Sequence, residues 1–190
     1  MQIAFSGGRT SAYMLHQIME ANDGLPDRVE VTFQNTGREM PETLDFVAEV
    51  GARWGVPIAW LEYRPKKPLF EVVSHNSASR NGEPFDALTL KERMVPNIHQ
   101  KRCSIELKSL TVKRYLVSQG WKKWTAAIGI RDDEPRRNPF DDNRTTAWLP
   151  LRAAKVTRRT VAEFWANQPF SLRLPVVNWN TVGGNCDGCF

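Results

Sequence analysis

Gln2-Ile3-Ala4-Phe5-Ser6-Gly7-Gly8-Arg9-Thr10-Ser11 is the stretch whose reading decides the fold. Its first four residues form a short apolar run, the next six a glycine-centred turn, and a helical pattern follows at once. That order reads strand, turn, helix. Two adjacent glycines let the backbone bend sharply and expose its N–H groups. Thr10 or Ser11 is placed to cap the helix, whose positive end faces the same spot. Such a turn is built to hold an anion. The spacing is not that of a Walker loop, and an ordinary tight turn is the structural alternative.

Downstream, Ala12, Leu15, His16 and Met19 fall at helical spacing, ending near Asn22-Asp23-Gly24 and Pro26. Val29 to Phe33 reads as a second strand and Asn35-Thr36-Gly37 as the turn that ends it. Pro41-Glu42-Thr43 opens a helix through about Trp54, and Pro57 to Leu61 reads as a third strand. Strand and helix alternating at this spacing argue for an α/β fold, a parallel sheet with helices on both faces. Ligands of such sheets bind at the carboxyl ends of the strands, where both turns fall.

From Arg64 to Gln100 the pattern weakens under repeated Pro, Asn and Gly. Leu69 to Val73 and Leu88 to Met94 read as short helical turns inside a substrate-side excursion or lid. Regularity returns with a helix over Ser104 to Gln119 and a buried strand over Trp124 to Ile130, with Arg131-Asp132-Asp133-Glu134 at its carboxyl end. Trp148 to Leu151 is short and apolar. Thr157 to Thr160 precedes a last helix carrying Val161, Phe164 and Trp165, and the tail from Val176 reads as irregular.

The length of 190 residues fits a single domain over 1–190. A net charge of +5 and a pI near 9.3 suit phosphate-bearing partners, nucleotides or nucleic acid alike. No run is apolar enough to cross a membrane and none resembles a signal peptide, so the expected location is cytoplasmic. Three cysteines argue against a disulfide framework and towards metal or redox chemistry. Cys186 and Cys189, spaced C-x-x-C, can share one metal centre. With His99 and Cys103 they make a closed Cys₃His zinc set, with unmetallated thiols as the plain alternative. A ligand pair this close to the last residue would fray unless bound or continued, so a chain shortened at its C-terminus is the expectation.

The hexapeptide Ser6 to Ser11 resembles the SGG-[KR]-[DT]-S loop of the ATP pyrophosphatase, or adenine nucleotide alpha hydrolase-like, superfamily. Four later segments resemble motifs of its phosphoadenosine phosphosulfate (PAPS) reductase family, in the family's order. Asn35-Thr36-Gly37 with Pro41-Glu42-Thr43 is similar to D-T-G-x-x-F-P-E-T, and Lys101-Arg102-Cys103 with Leu107-Lys108 to C-C-x-x-x-K-x-x-P-L. Gly129-Ile130-Arg131 through Glu134 with Arg136-Arg137 is similar to G-x-R-x-D-E-S-x-x-R. Pro150-Leu151 before Val161, Phe164 and Trp165 is similar to the family's ending.

The resemblance implies a Rossmann-like (HUP-type) fold with an irregular C-terminal metal-binding tail. It implies an ATP- or PAPS-type adenine nucleotide held by Ser6, Gly7, Gly8, Arg9, Thr10 and Ser11, with Asn35, Thr36 and Gly37 near the adenosine. Arg131, Arg136 and Arg137 would neutralise phosphate charge, Asp133 or Glu134 would orient them or hold Mg²⁺, and Lys108 would join the catalytic set. Cys103, Cys186 and Cys189 would carry a [4Fe–4S] cluster with one iron open, as in cluster-dependent tRNA thiolation enzymes. Two departures stand out: the metal-free reductases' E-C-G-[IL]-H motif does not occur, and Asn35 and Arg102 replace an Asp and a Cys. The implied activity is thus sulfur transfer or nucleic-acid modification, with a nucleic acid or a sulfur carrier as partner. The alternatives are sulfonucleotide reduction with an external thiol and a non-catalytic nucleic-acid-binding regulator.

Overall fold

The computed structural model describes residues 1–184 apart from 96, 98 and 140. A six-stranded sheet runs in the order β4-β3-β2-β1-β5-β6. Its strands are β1 (Gln2–Ala4), β2 (Glu30–Asn35), β3 (Ile58–Tyr63), β4 (Phe70–Val73), β5 (Trp124–Ile128) and β6 (Thr145–Trp148). All neighbours pair in parallel except β3 with β4. The α/β reading and the mostly parallel sheet therefore hold.

Side chains alternate across each strand, and both faces are covered. Ile3, Phe5, Val31, Phe33, Trp60 and Ala127 meet one main core. Three helices close that face: α1 (Arg9–Glu20), α2 (Pro41–Trp54) and α6 (Arg158–Ala166). On the other face, Tyr63 packs with Leu88 and Leu107, and Trp124 and Ala126 pack with Leu116. These come from α3 (Glu83–Glu92), a π-helical segment (Ser104–Leu110) and α4 (Thr111–Ser118). Local chemistry fits the boundaries: Pro41 opens α2 and Gly55, at φ 63°, closes it, while Thr157 and Thr160 form a reciprocal capping box on α6.

Four local expectations are corrected. Residues 70–73 are a strand and not a helical turn, because the β-branched, alternating Phe-Glu-Val-Val pairs antiparallel with Trp60 to Tyr63. Arg64 ties that edge by reaching Glu71 at 2.6 Å and Glu62 at 2.9 Å. The single helix expected over 104–119 begins as a π-helix, in which Thr111 Oγ1 donates to the carbonyl of Glu106, five residues back, at 2.8 Å. The short apolar segment at 148–151 splits between β6 and a one-turn helix α5 (Pro150–Ala153). The tail is not irregular from Val176: β7 (Val176–Val177) and β8 (Asn180–Thr181) form a hairpin. The expected metal-binding tail at 185–190 lies outside the described residues.

Candidate functional site

Strand order reverses between β1 and β5 while the two strands stay parallel, so the loops leaving them are neighbours at their carboxyl ends, the edge where such sheets bind ligands in a crevice. Gly7 sits at φ +78°, and a Cβ there would lie 2.7 Å from Thr43 Cγ2 and 3.1 Å from both Phe33 and Val47. Only glycine suits that bend, which presses the loop against α2. Gly8 is the N-cap of α1 in extended conformation, and no side chain caps the helix; the expectation that Thr10 or Ser11 would do so is corrected. Ser11 instead braces the loop, its Oγ accepting from the Ser6 N–H at 3.1 Å and donating to the Gly8 carbonyl at 3.0 Å. The first helical hydrogen bond runs from the Ala12 N–H to the Gly8 carbonyl, 3.1 Å. The amides of Arg9, Thr10 and Ser11 precede that bond, at the positive end of the helix.

Arg131, leaving β5, lies across this turn. Its Nη1 donates to Thr10 Oγ1 at 3.1 Å and its Nε to Asp133 at 2.8 Å, while its backbone N–H meets Glu134 at 3.1 Å. Arg131 is only 12% exposed at its side chain, so the two acids set its direction. Burial alone would push the Asp133 carboxyl up, but the N–H of Arg158 and the Arg131 guanidinium outweigh it and hold it below the usual range. Gly129 completes the contact: a Cβ there would stand 3.3 Å from Ser11 Cα. Arg137 pairs with Glu134 at 3.2 Å and is largely exposed, as is Arg136. Arg152 clasps the carbonyls of Glu134 and Arg137, each at 2.8 Å.

Arg9 does not extend into the crevice. Its Nε donates to Ser171 Oγ at 3.0 Å, its Nη1 to Thr181 Oγ1 at 3.1 Å and its Nη2 to the Leu172 carbonyl. Burial lowers its pKa from the ordinary arginine value. Its carbonyl accepts from Trp165 Nε1 at 2.9 Å. The fixed positive charge of the motif thus fastens the turn to the C-terminal segment.

The second turn is self-contained. Asn35 is fully buried, donating Nδ2–H to Glu62 at 2.7 Å and to the Ser79 carbonyl at 2.8 Å, and accepting the Gly37 N–H at 3.0 Å. All three of these polar contacts go to protein. Glu62, also fully buried, takes the Ser79 N–H and hydroxyl, each at 2.7 Å, and Arg64 at 2.9 Å. A second carboxylate at position 35 would face Glu62 directly, since the two residues are register partners; this is the physical sense of Asn here. Thr36 gives its N–H and hydroxyl to Glu39, at 2.8 and 2.9 Å. Burial raises the Glu39 carboxyl, with Lys108 opposing. Lys108 therefore stands near this turn. Gly37 is at φ +76°, and a Cβ there would lie 2.9 Å from Pro84.

Glu39, Glu62 and Trp165 were not legible as site residues. Trp165 was read as part of the family's closing motif but not as a partner of Arg9; Glu62 fell just past the expected third strand, and nothing marked Glu39.

Among the described residues no group of three or more His, Cys, Asp or Glu side chains gathers as a metal site. His99 is exposed, and Cys103 is a free thiol packed against Tyr63, Leu88 and Leu107. Cys186 and Cys189, the other members of the expected iron–sulfur or zinc set, lie outside the described residues. No helix among the described residues is long and apolar enough to cross a membrane.

A family model described as the phosphoadenosine phosphosulfate reductase domain matches residues 1–180. The chain is similar to the uncharacterized nin region protein ORF290 of Escherichia phage lambda, 30% identical over 200 residues, covering 98% of this chain and 64% of that protein. It thus spans less than two thirds of that relative's length. A crystal structure of phosphoadenylyl-sulfate (PAPS) reductase from Candida auris, a phosphate complex, shares the fold with a TM-score of 0.53 and 17% identity, over 86% of this chain and 71% of that one.

Proposed function

The chain belongs to the phosphoadenosine phosphosulfate reductase domain family, and from that premise we propose that it binds an adenine nucleotide in the crevice between the β1 and β5 loops and transfers its activated group. Phosphate oxygens meet the amides of Gly8 to Ser11 at the uncapped end of α1. Arg131, aimed by Asp133 and Glu134, carries charge to the phosphorus or sulfur that reacts. In the sulfur-transfer and nucleic-acid-modifying reading, an acceptor oxygen bonds to the α-phosphorus of ATP as pyrophosphate leaves. A sulfur nucleophile from a carrier then displaces AMP from the acceptor. Asn35, Thr36 and Gly37 shape the adenosine side of the crevice through their backbone carbonyls, their side chains and the N–H groups of Thr36 and Gly37 being committed to Glu62, Ser79, Glu39 and Asn35. In the same reading Asp133 or Glu134 would hold Mg²⁺, which would supply further positive charge against the phosphates.

The single observation that carries the proposal is the 3.1 Å contact of Arg131 with Thr10, which makes one site of two loops 121 residues apart. Calorimetric titration with ATP and with PAPS tests it. Arg131→Ala is expected to fold and to lose ten- to a hundredfold in affinity, the worth of one charge-assisted contact. Equal affinity in the folded variant refutes the site. Sulfite released from PAPS with an added dithiol, and no pyrophosphate from ATP with any acceptor, would move the activity to sulfonucleotide reduction.

A further inference from the structure

The β7–β8 hairpin turns on two residues, Asn178 at φ 48° and Trp179 at φ 65°. Both in the left-handed region make a type I′ turn, whose second position glycine occupies at no steric cost. A tryptophan there is an outlier for so bulky a side chain. It also gains no packing in return, being 57% exposed. Val176, Val177 and Val182 beside it are about half exposed as well. A strained backbone presenting an unpacked aromatic is the pattern of a residue retained for contact and not for stability.

Its place in the fold narrows the partner. Arg9 fastens the strand after the tip to the anion-binding turn through Thr181, and fastens the approach to the hairpin through Ser171 and Leu172. Gly183 lies against Met40, just before α2. The hairpin is therefore tied to the turn to which the proposed function gives the phosphate. From Phe164 to Gly184 the chain carries no acidic residue and one arginine, Arg173, which pairs with Glu49 of α2 at 3.2 Å yet stays 72% exposed at its side chain. Arg158 and Arg159, the latter paired with Glu163 at 2.6 Å, open α6, whose Trp165 is bonded to Arg9. An exposed aromatic on a segment whose one charged side chain is an exposed arginine suits a ligand with flat bases and a phosphate backbone.

We propose that Trp179 is a stacking platform for an unpaired base of single-stranded nucleic acid, placing the acceptor at the nucleotide crevice. This rests on the proposed function in that it names the acceptor for the same site. Stacking on one aromatic accounts for about 5- to 150-fold in affinity, and phosphate contacts give it a salt dependence.

The test is fluorescence anisotropy with labelled single-stranded oligonucleotides, DNA and RNA, on the wild type, Trp179→Gly and Trp179→Phe, alongside ATP titration of each. Trp179→Gly relieves the backbone, so it is expected to melt no lower than the wild type while losing at least fivefold in oligonucleotide affinity; Trp179→Phe is expected to keep most of it. ATP affinity is expected to be the same in all three. Oligonucleotide affinity that is unchanged in Trp179→Gly, or absent from the wild type, overturns the inference and leaves the nucleotide site standing. So does a loss confined to self-association, read by sedimentation, which would make the tip a protein contact. A wild type that binds oligonucleotide through Trp179 but no ATP overturns the proposed function and leaves the platform standing.

Discussion

Gly8→Asp separates a structural turn from an anion site, because it should improve the first and ruin the second. Gly8 has φ −95° and ψ 161°, a conformation open to any residue, and a Cβ there would have only Ser6 Oγ within 4 Å, at 3.8 Å. The substitution therefore fits. It also supplies the N-cap that α1 lacks, since an Asp carboxylate accepts from the second and third amides of the helix, here those of Thr10 and Ser11. A few tenths of a kcal/mol from the cap and about 0.3–1 kcal/mol from an acid at the positive helix end predict a melting point equal to the wild type or up to about 4 °C higher.

For a bound phosphate the sign reverses. The cap consumes amides that would each give a charged acceptor about 1.5–3 kcal/mol. A carboxylate roughly 5 Å from a phosphate adds about 3 kcal/mol of repulsion at an effective dielectric constant near 20. Even half of that sum lowers affinity at least a hundredfold. The assay is calorimetric titration with ATP at fixed ionic strength, with melting curves on the same samples and Gly8→Ala as the uncharged control, expected to lose less than tenfold. A Gly8→Asp protein that melts like the wild type and binds ATP equally well refutes the reasoning outright.

Asn35→Asp sets a second carboxylate against the fully buried Glu62 and removes the amide donor shared with Ser79. The cost is on the order of 3 kcal/mol near neutral pH, or about 6–12 °C in melting temperature. Like charge and burial raise the folded pKa of the new pair, so the lost stability returns as pH falls; a deficit equal at pH 8 and pH 5 would contradict this. Asp142 is held down to about 2 by the Lys113 ammonium at 2.6 Å, with the Arg144 N–H assisting. A lowered acid stabilises above its unfolded value of 3.8 and loses that contribution as pH falls towards 2. Asp142→Asn should accordingly flatten the melting-temperature profile over that window, and a profile parallel to the wild type would count against it.

How much of this was legible depends on the range of the interaction involved. The turn at Gly7 and Gly8 was readable because a bend between strand and helix is decided by adjacent residues, and glycine there has a local cause. The same holds for Pro41 at the start of α2. The edge strand at 70–73 was not: four residues carry too little period to separate strand from helix until β3 offers its unpaired edge. The π-helical turn at 104–110 likewise depends on partners, with Glu106 drawn in between Arg102 and Arg114.

The site divides in the same way. From the amino-acid order alone came the alternation that dictates a mostly parallel sheet, the glycine turn after β1 and the family motifs, since each is a matter of neighbours along the chain. What Arg9, Asn35 and Arg131 do came only with the fold. Arg9 turns away to grip Ser171, Leu172 and Thr181; Asn35 is spent on Glu62; and Arg131 reaches Thr10 from the far side of the crossover. A long side chain can satisfy its donors on whichever acceptors packing brings near. Those acceptors lie 27 to 172 positions away, where no local pattern records them.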